Sequence, residues 1–212
     1  MTDFVPRIWL ALAVLYAVFF YWYTPFGGPL TDEEIAHYTE VIAASDGPSE
    51  RLRVWVEFME SDTGNDFAML NAIELRDTPT PGPGIEPGES SQAVLGKYTA
   101  PFLGRALRSA AHPVMMGTAA GPAIDTWGID GADSWSQGGL VRYRSRRDLL
   151  EQVEAIASVE DSGIHDFKIA AMEKTIAYPL DPWFQLGDPR LVLGLVFLVV
   201  GLGAQAVRGR KA

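Results

Sequence analysis

The chain has 212 residues, enough for one domain of ordinary size with additional segments at its ends. Its 27 acidic and 17 basic residues give a formal net charge of −10 at pH 7, which argues against a nucleic-acid-binding function because phosphate would be repelled. The absence of cysteine is compatible with a location outside the cytoplasm but does not require one.

The first long apolar segment is residues 8–23, close to the roughly 17–25 residues that cross a bilayer as a helix. A cleaved signal peptide is the alternative, but its apolar core is about 7–15 residues long and precedes a small-residue cleavage site. Here the run ends in Tyr21, Trp22 and Tyr23, and Trp9 lies near its start, the pattern of an interfacial aromatic belt. We therefore predict a membrane-spanning helix within residues 1–26.

A second apolar run, residues 191–207, is followed by Arg208, Arg210 and Lys211. The positive-inside rule places this end in the cytoplasm, and Arg7 gives the first helix the same orientation more weakly. Residues 184–212 are thus predicted to form a second span with a basic tail. The prediction is a bacterial inner-membrane protein with two spans, both termini cytoplasmic and the central domain periplasmic or exterior.

Two glycines of the second run, Gly194 and Gly201, are seven residues apart and share one face of a helix. Small residues let another helix approach closely in a membrane. The partner could be the first span or a different membrane protein. The chain between the spans, residues 24–189, holds 26 of the acidic and 12 of the basic residues, which predicts a solvated acidic surface or, alternatively, a cationic partner.

Residues 27–65 are predicted to form a helical lead-in to the central domain. Thr31 and Glu34 have the spacing of a capping box and open a helix that runs to about residue 45, where Gly47 and Pro48 stop it. Residues 49–60 fit both strand alternation and a helical stripe, and we interpret them as helix.

The central domain is predicted over residues 66–183. A strand at 67–76 carries Asn71 on its otherwise apolar face. The Pro/Gly-rich segment 78–90 is a loop. It is followed by a helix at 90–111 that Pro101 should kink or divide and that His112 and Pro113 should end. A second strand is expected near residues 114–116.

The most informative stretch is residues 135–145, which passes from strand alternation to a helix start at Ser145. The helix should cover residues 146–159, followed by a short helix at 164–174 and a last strand at 175–179. Setting the short helix aside, the order from residue 67 is βαββαβ. The predicted fold class is α+β, a ferredoxin-like domain flanked by two transmembrane helices.

The segments 140–149, 167–171 and 175–179, together with Met69 and Asn71 on the first strand and Tyr98 on the first helix, resemble the uncharacterised ferredoxin-like proteins of the DUF1330 type, which are related to dimeric α/β-barrel proteins. The resemblance covers residues 67–179 and implies pairing of two sheets face to face as a dimer. The superfamily includes cofactor-free monooxygenases, haem-handling enzymes and proteins with no known activity, so the resemblance implies no particular reaction.

No catalytic or metal-binding motif is visible. The three histidines lack paired metal-ligand spacing, and a nucleophile elbow, a P-loop and a dinucleotide fingerprint are missing from the sequence, so no metal and no cofactor are predicted. His165 lies three residues before Lys168 and is interpreted as a surface residue. His112 is interpreted as a helix-end residue.

Polar and aromatic side chains on strands that face helices can bind a small organic molecule, and the candidates here are Asn71, Tyr98, His112, Trp135, Tyr143 and Lys168. The alternative for each is a structural role in the core or at its rim. The basic cluster around Arg142 and Arg144 could bind an anion, or it could pair with acids of the following helix, such as Asp148.

Two functions follow from these predictions. The first is a membrane-anchored, extracytoplasmic binding or accessory protein that forms a homodimer or belongs to a larger membrane complex. Its expected partners are the lipid bilayer, another membrane protein or a small apolar ligand, and it is not expected to bind nucleic acid. The second is a membrane-bound, cofactor-independent oxidoreductase or monooxygenase that acts on an apolar aromatic or quinone-like substrate.

Overall fold

A computed structural model of the chain describes residues 4–44, 49–157 and 163–210. The chain divides into two compact units, Met1–Pro25 with Pro182–Ala212 and Phe26–Asp181. The helices are α1 Phe4–Tyr23, α2 Asp32–Ala44, α3 Ser49–Glu60, α4 Ser91–Ala106, α5 Arg146–Ala157, α6 Ile164–Ala171 and α7 Pro189–Gly209. The strands are β1 Phe67–Leu75, β2 His112–Thr118, β3 Gln137–Tyr143 and β4 Met172–Leu180.

The first unit contains α1 and α7, which are long and apolar enough to cross a membrane. They pack against each other in antiparallel order, because Gly201 lies against the ring of Trp9 and Gly194 lies against Tyr16. A Cβ at Gly194 would be 3.4 Å from the Tyr16 ring, and the Tyr16 hydroxyl donates to the Arg190 carbonyl at 3.1 Å. The two glycines therefore serve the contact between these two helices.

The second unit is built on a four-stranded antiparallel sheet in the order β2-β3-β1-β4. With α4 between β1 and β2, and α5 between β3 and β4, this is the ferredoxin-like βαββαβ connectivity, and α6 is an addition before β4. The predicted α+β class and sheet are confirmed. Each outer strand carries a proline, Pro113 in β2 and Pro179 in β4.

One face of the sheet is covered by helices and forms the core. On this face Phe67 and Tyr143 stack with ring centroids 5.2 Å apart, and Ala106 of α4 and Leu149 of α5 pack beside them. Farther along β1, Ile73 packs against a cluster of buried residues from α4 and α6 together with the first residue of β4, namely Val94, Leu95, Ala171 and Met172. Because side chains alternate along a strand, Ala68, Leu70 and Ala72 point to the opposite face.

Helices α2 and α3 pack against α5 through a further cluster that includes Tyr38, Met59 and Leu150. The capping box is confirmed, since the Thr31 backbone N–H donates to Glu34 at 2.8 Å and the Glu34 N–H donates to the Thr31 hydroxyl at 3.3 Å. Residues 49–60 are the predicted helix. The predicted stop at Gly47 and Pro48 lies outside the described residues.

Two local predictions were wrong, and a third was decided only in part. Of the predicted kink or division at Pro101, the division does not occur, because buried residues on either side hold α4 to the core and the helix continues through Pro101. The helix ends at Ala106 and a 3₁₀ turn follows, so His112 is the first residue of β2 rather than a helix end. Strand β4 begins at Met172 rather than residue 175, because β1 pairs with it as far as Leu75.

Candidate functional site

The side chain at the centre of the candidate site is Tyr98, on the sheet-facing side of α4. Its ring stacks on Phe102 with centroids 5.7 Å apart, and the His165 ring meets it edge-on at 6.3 Å. The Lys168 ammonium lies 5.5 Å from the Tyr98 ring centroid, within cation–π range. Helices α4 and α6 therefore bring the predicted residues Tyr98 and Lys168 together.

Tyr143 lies on the same side of the sheet and is 4% exposed. Burial, and secondarily the charge of Tyr98, raises the pKa of the Tyr143 hydroxyl, and burial also raises the pKa of Tyr98. Both phenols are therefore protonated at neutral pH and can donate a hydrogen bond, but neither is a ready base.

Asn71 shares the helix-covered face of the sheet. In the sheet register it lies between Gly139 of β3 and Ala177 of β4, so both of its neighbours on that face are small. Its amide donates to the Met69 carbonyl of its own strand at 3.1 Å. The geometry thus gives Asn71 a backbone partner, in line with the structural alternative for this residue.

The two other predicted residues lie elsewhere. His112 is paired with Arg142 in the sheet, and its Nδ1 is 3.0 Å from the Pro113 carbonyl. Trp135 precedes β3, donates from its indole N–H to the Ala132 carbonyl at 2.9 Å and lies under the Lys174 ammonium, 4.9 Å away. Ligand binding by the whole predicted set stays a prediction, and the structure assembles only part of that set around Tyr98.

The predicted anion-binding arginines are engaged with acids of the chain. Arg142 is 1% exposed, and its guanidinium lies 3.0 Å from Asp66. Arg144 forms a forked pair with Asp148, one of the predicted alternatives, and this pair raises the pKa of Arg144. Anion binding by Arg142 and Arg144 stays a prediction, but it would have to compete with these carboxylates.

A histidine and an arginine that the sequence did not single out as site residues complete the surroundings of Tyr98. His165 is one helical turn from Lys168 on α6, and the Arg51 guanidinium of α3 lies within electrostatic reach of both. The three-residue spacing of His165 and Lys168 was a usable signal, whereas nothing local relates Arg51 to α6. Among the residues that the structure describes, no group of three or more acidic, histidine or cysteine side chains could hold a metal ion.

Neither the known family models nor the curated proteins match this sequence. The fold is similar to the crystal structure of the methylated protein RPA0582, with a TM-score of 0.52 and 20% identity over 68% of this chain and 96% of that one. A second structure of RPA0582, described as a protein of unknown function from Rhodopseudomonas palustris, gives a TM-score of 0.48 and 20% identity over 66% and 97%.

A more distant structure is described as a dimeric protein of unknown function and ferredoxin-like fold from Bacteroides fragilis, with a TM-score of 0.31 and 11% identity over 55% of this chain and 96% of that one. At this level of identity, similarity to solved structures concerns the fold alone. The function must be argued from the surfaces and side chains of this chain.

Proposed function

We propose that this chain is a membrane-anchored binding or accessory protein whose ferredoxin-like domain pairs with a second copy through the open face of its sheet. Helices α1 and α7 are the anchor in this proposal, and the basic residues after α7 put both termini in the cytoplasm and the domain outside the bacterial inner membrane. Kinship with the DUF1330-type proteins is part of the same proposal.

The observation that carries the proposal is the apolar character of the open sheet face. A cross-strand row on this face runs through Met115, Leu140, Leu70 and Tyr178. Met115 is 67% exposed and Tyr178 43% exposed, and Ile176 and Leu180 of β4 are 42% and 37% exposed. A contiguous apolar patch of this kind marks an interaction surface in a soluble domain.

A second copy is the partner that this face fits best. The row contains no charged side chain, so two copies related by a twofold axis can bury it against itself, as in other isologous interfaces. Facing sheets pack about 10 Å apart, which lets apolar side chains of this size interdigitate. Anchoring two copies in one membrane also raises their effective concentration.

The oxidoreductase alternative ranks second. Tyr98 and Tyr143 are the candidate acid–base groups near one another, and burial raises the pKa of both, which leaves them as hydrogen-bond donors. A proton-abstracting role would need the opposite shift. Turnover of a quinone-like substrate that depends on Tyr143 would reverse this ranking.

The pairing can be tested by measuring the molar mass of the full chain in maltoside micelles. We expect the wild type to be dimeric and Tyr178→Arg to be monomeric, because a twofold axis places two unpaired charges in the interface. Val54→Arg is the matched control, since Val54 is 55% exposed on α3, away from the sheet face. A monomeric wild type, or a dimer that Tyr178→Arg leaves intact, would refute the pairing.

The anchoring has a separate test. A fluorescent-protein fusion at the C-terminus should be fluorescent and a phosphatase fusion there inactive if the basic end is cytoplasmic. The opposite result would overturn the orientation, and recovery of the chain in the soluble fraction would overturn the anchor.

A further inference from the structure

The surroundings of Tyr98 contain a local excess of positive charge in an otherwise acidic unit. His165 and Lys168 of α6 meet the edge and the face of the Tyr98 ring. The charge of Arg51 on α3 acts electrostatically on both of them. Asp166 is an acid that acts on His165, but it is not among the charges that act on Lys168.

Among the lysines that the structure describes, Lys168 differs from Lys97 and Lys174 because it has no hydrogen-bond acceptor. Lys97 on α4 lies over the Phe167 ring at 5.6 Å, and it is also 2.7 Å from the Glu89 carboxylate. Lys168 has a similar ring contact, but within the described residues it forms no ion pair, and neither does Arg51. Burial and the charge of Arg51 lower the pKa of Lys168, so the ammonium is held at a cost that an anion would offset.

We propose that Lys168, Arg51 and His165 form a binding site for the oxyanion of a small organic molecule, a carboxylate or a phosphate, next to the ring of Tyr98. The two permanent cations supply charge-assisted contacts, and the imidazole supplies a donor that becomes charged when the anion arrives. Tyr143, which is buried on the same side of the sheet as Tyr98, carries a further hydroxyl donor.

This site does not depend on the proposed pairing. The cluster around Tyr98 packs with Ile73 and Leu75 on the helix-covered face of the sheet, whereas the pairing surface is the opposite face. The oxyanion site and the pairing surface therefore lie on opposite faces of the sheet and can be tested separately. The dimer-breaking variant Tyr178→Arg should bind the anion as the wild type does, so failure of one proposal is distinguishable from failure of the other.

The imidazole of His165 is a direct reporter of the site. Burial and the charge of Lys168 lower its pKa, Arg51 lowers it further, and Asp166 opposes them, while Tyr98 of α4 contributes a neutral ring. A bound anion must raise the pKa of His165. The chain has three histidines, so the His165→Gln variant identifies the signal in a proton NMR titration of the full chain in maltoside micelles.

The probes are sodium acetate and inorganic phosphate, compared with chloride at the same ionic strength. We expect at least one probe to raise the pKa of His165 in a saturable manner, and the effective probe to identify the anion class. Lys168→Met and Arg51→Gln should each weaken binding about tenfold or more. Lys97→Met should leave it unchanged, because Lys97 already has a carboxylate partner.

Two results would overturn the site. One is the absence of a saturable response to either probe in the wild type. The other is an equal response in Arg51→Gln, whose exposed position on α3 makes a folding defect an insufficient explanation.

Discussion

Arg142 of β3 forms an ion pair with Asp66, the residue that precedes β1, with Nη2 and Oδ2 separated by 3.0 Å. The same guanidinium donates to the Ala110 carbonyl at 2.9 Å. One side chain therefore joins β3 to the start of β1 and to the connection between α4 and β2. It is among the largest fully buried side chains of the domain.

Replacing Arg142 by Met should lower the free energy of unfolding by about 3–5 kcal/mol, because Asp66 and the Ala110 carbonyl lose their buried partner. Chemical denaturation of the full chain measures this loss. The control is Arg53→Met, which removes an exposed pair with Glu57 on α3 and should cost no more than about 0.5 kcal/mol. Similar losses in the two variants would contradict a structural role for Arg142.

Glu34 makes the stability of the α2–α5 contact dependent on pH. Hydrogen bonding to Arg147 lowers the pKa of Glu34 from 4.5 to about 2, despite the opposing effect of burial. A lowered carboxylate pKa stabilises the fold above about pH 4.5, and this contribution is lost as the pH falls towards 2.

We expect Glu34→Gln to be about 1–2 kcal/mol less stable than the wild type at neutral pH, after allowance for the partial exposure of the pair. The difference should shrink as both proteins are unfolded at progressively lower pH. A difference that stays constant between neutral pH and about pH 2 would show that the charge of Glu34 is not its cause.

Gly201 should be required for the contact between α1 and α7, because a side chain there would overlap the Trp9 ring. Gly201→Leu costs about 1–3 kcal/mol of packing energy in such a contact. The chain has no cysteine, so a pair introduced at Tyr16 and Phe197, whose rings are 6.5 Å apart, can be joined by a short bis-maleimide.

The cross-linking yield should fall in Gly201→Leu and stay unchanged in Gly203→Leu, since a Cβ at Gly203 has no neighbour within 4 Å. Equal yields would mean that the glycine at 201 does not govern this contact.

Ser145 caps α5, and its loss should cost about 1 kcal/mol. The hydroxyl accepts from the Asp148 backbone N–H at 3.1 Å and donates to the Asp148 carboxylate at 2.5 Å. Ser145→Ala should therefore lower the free energy of unfolding, and Ser145→Thr should restore most of it, because threonine carries the same hydroxyl. Equal stability of the alanine variant and the wild type would exclude the cap as a stabilising feature.

Local signals in the sequence predicted the parts of the fold that depend on local chemistry. The Thr31–Glu34 box and the Ser145 cap were recognisable because the donor and acceptor are three residues apart in the chain. The start of β4 was not recognisable from the sequence, since residues 172–174 continue a helical pattern. Only their pairing with β1 makes them part of a strand. Tertiary pairing decided the outcome there.

In the candidate site, too, some residues could be predicted from the sequence and others depended on tertiary contacts. Tyr98 and Lys168 were predicted from residue type and do meet. Trp135 has the same kind of chemistry but lies before the start of β3, beside Lys174. The contribution of Arg51 could not be predicted, because Arg51 and Lys168 are distant in sequence and the charge of one acts on the other only in the folded chain.

The prolines of the outer strands limit how this domain can associate. Pro113 and Pro179 lack the N–H that an added strand would need, so neither border of the sheet is a good template for backbone pairing. Addition of further chains to an edge strand of the sheet would have no end, because each new chain would offer another free edge strand. The proposed contact through the apolar face would end with two chains, so copies that pair in this way form a finite assembly instead of a fibre.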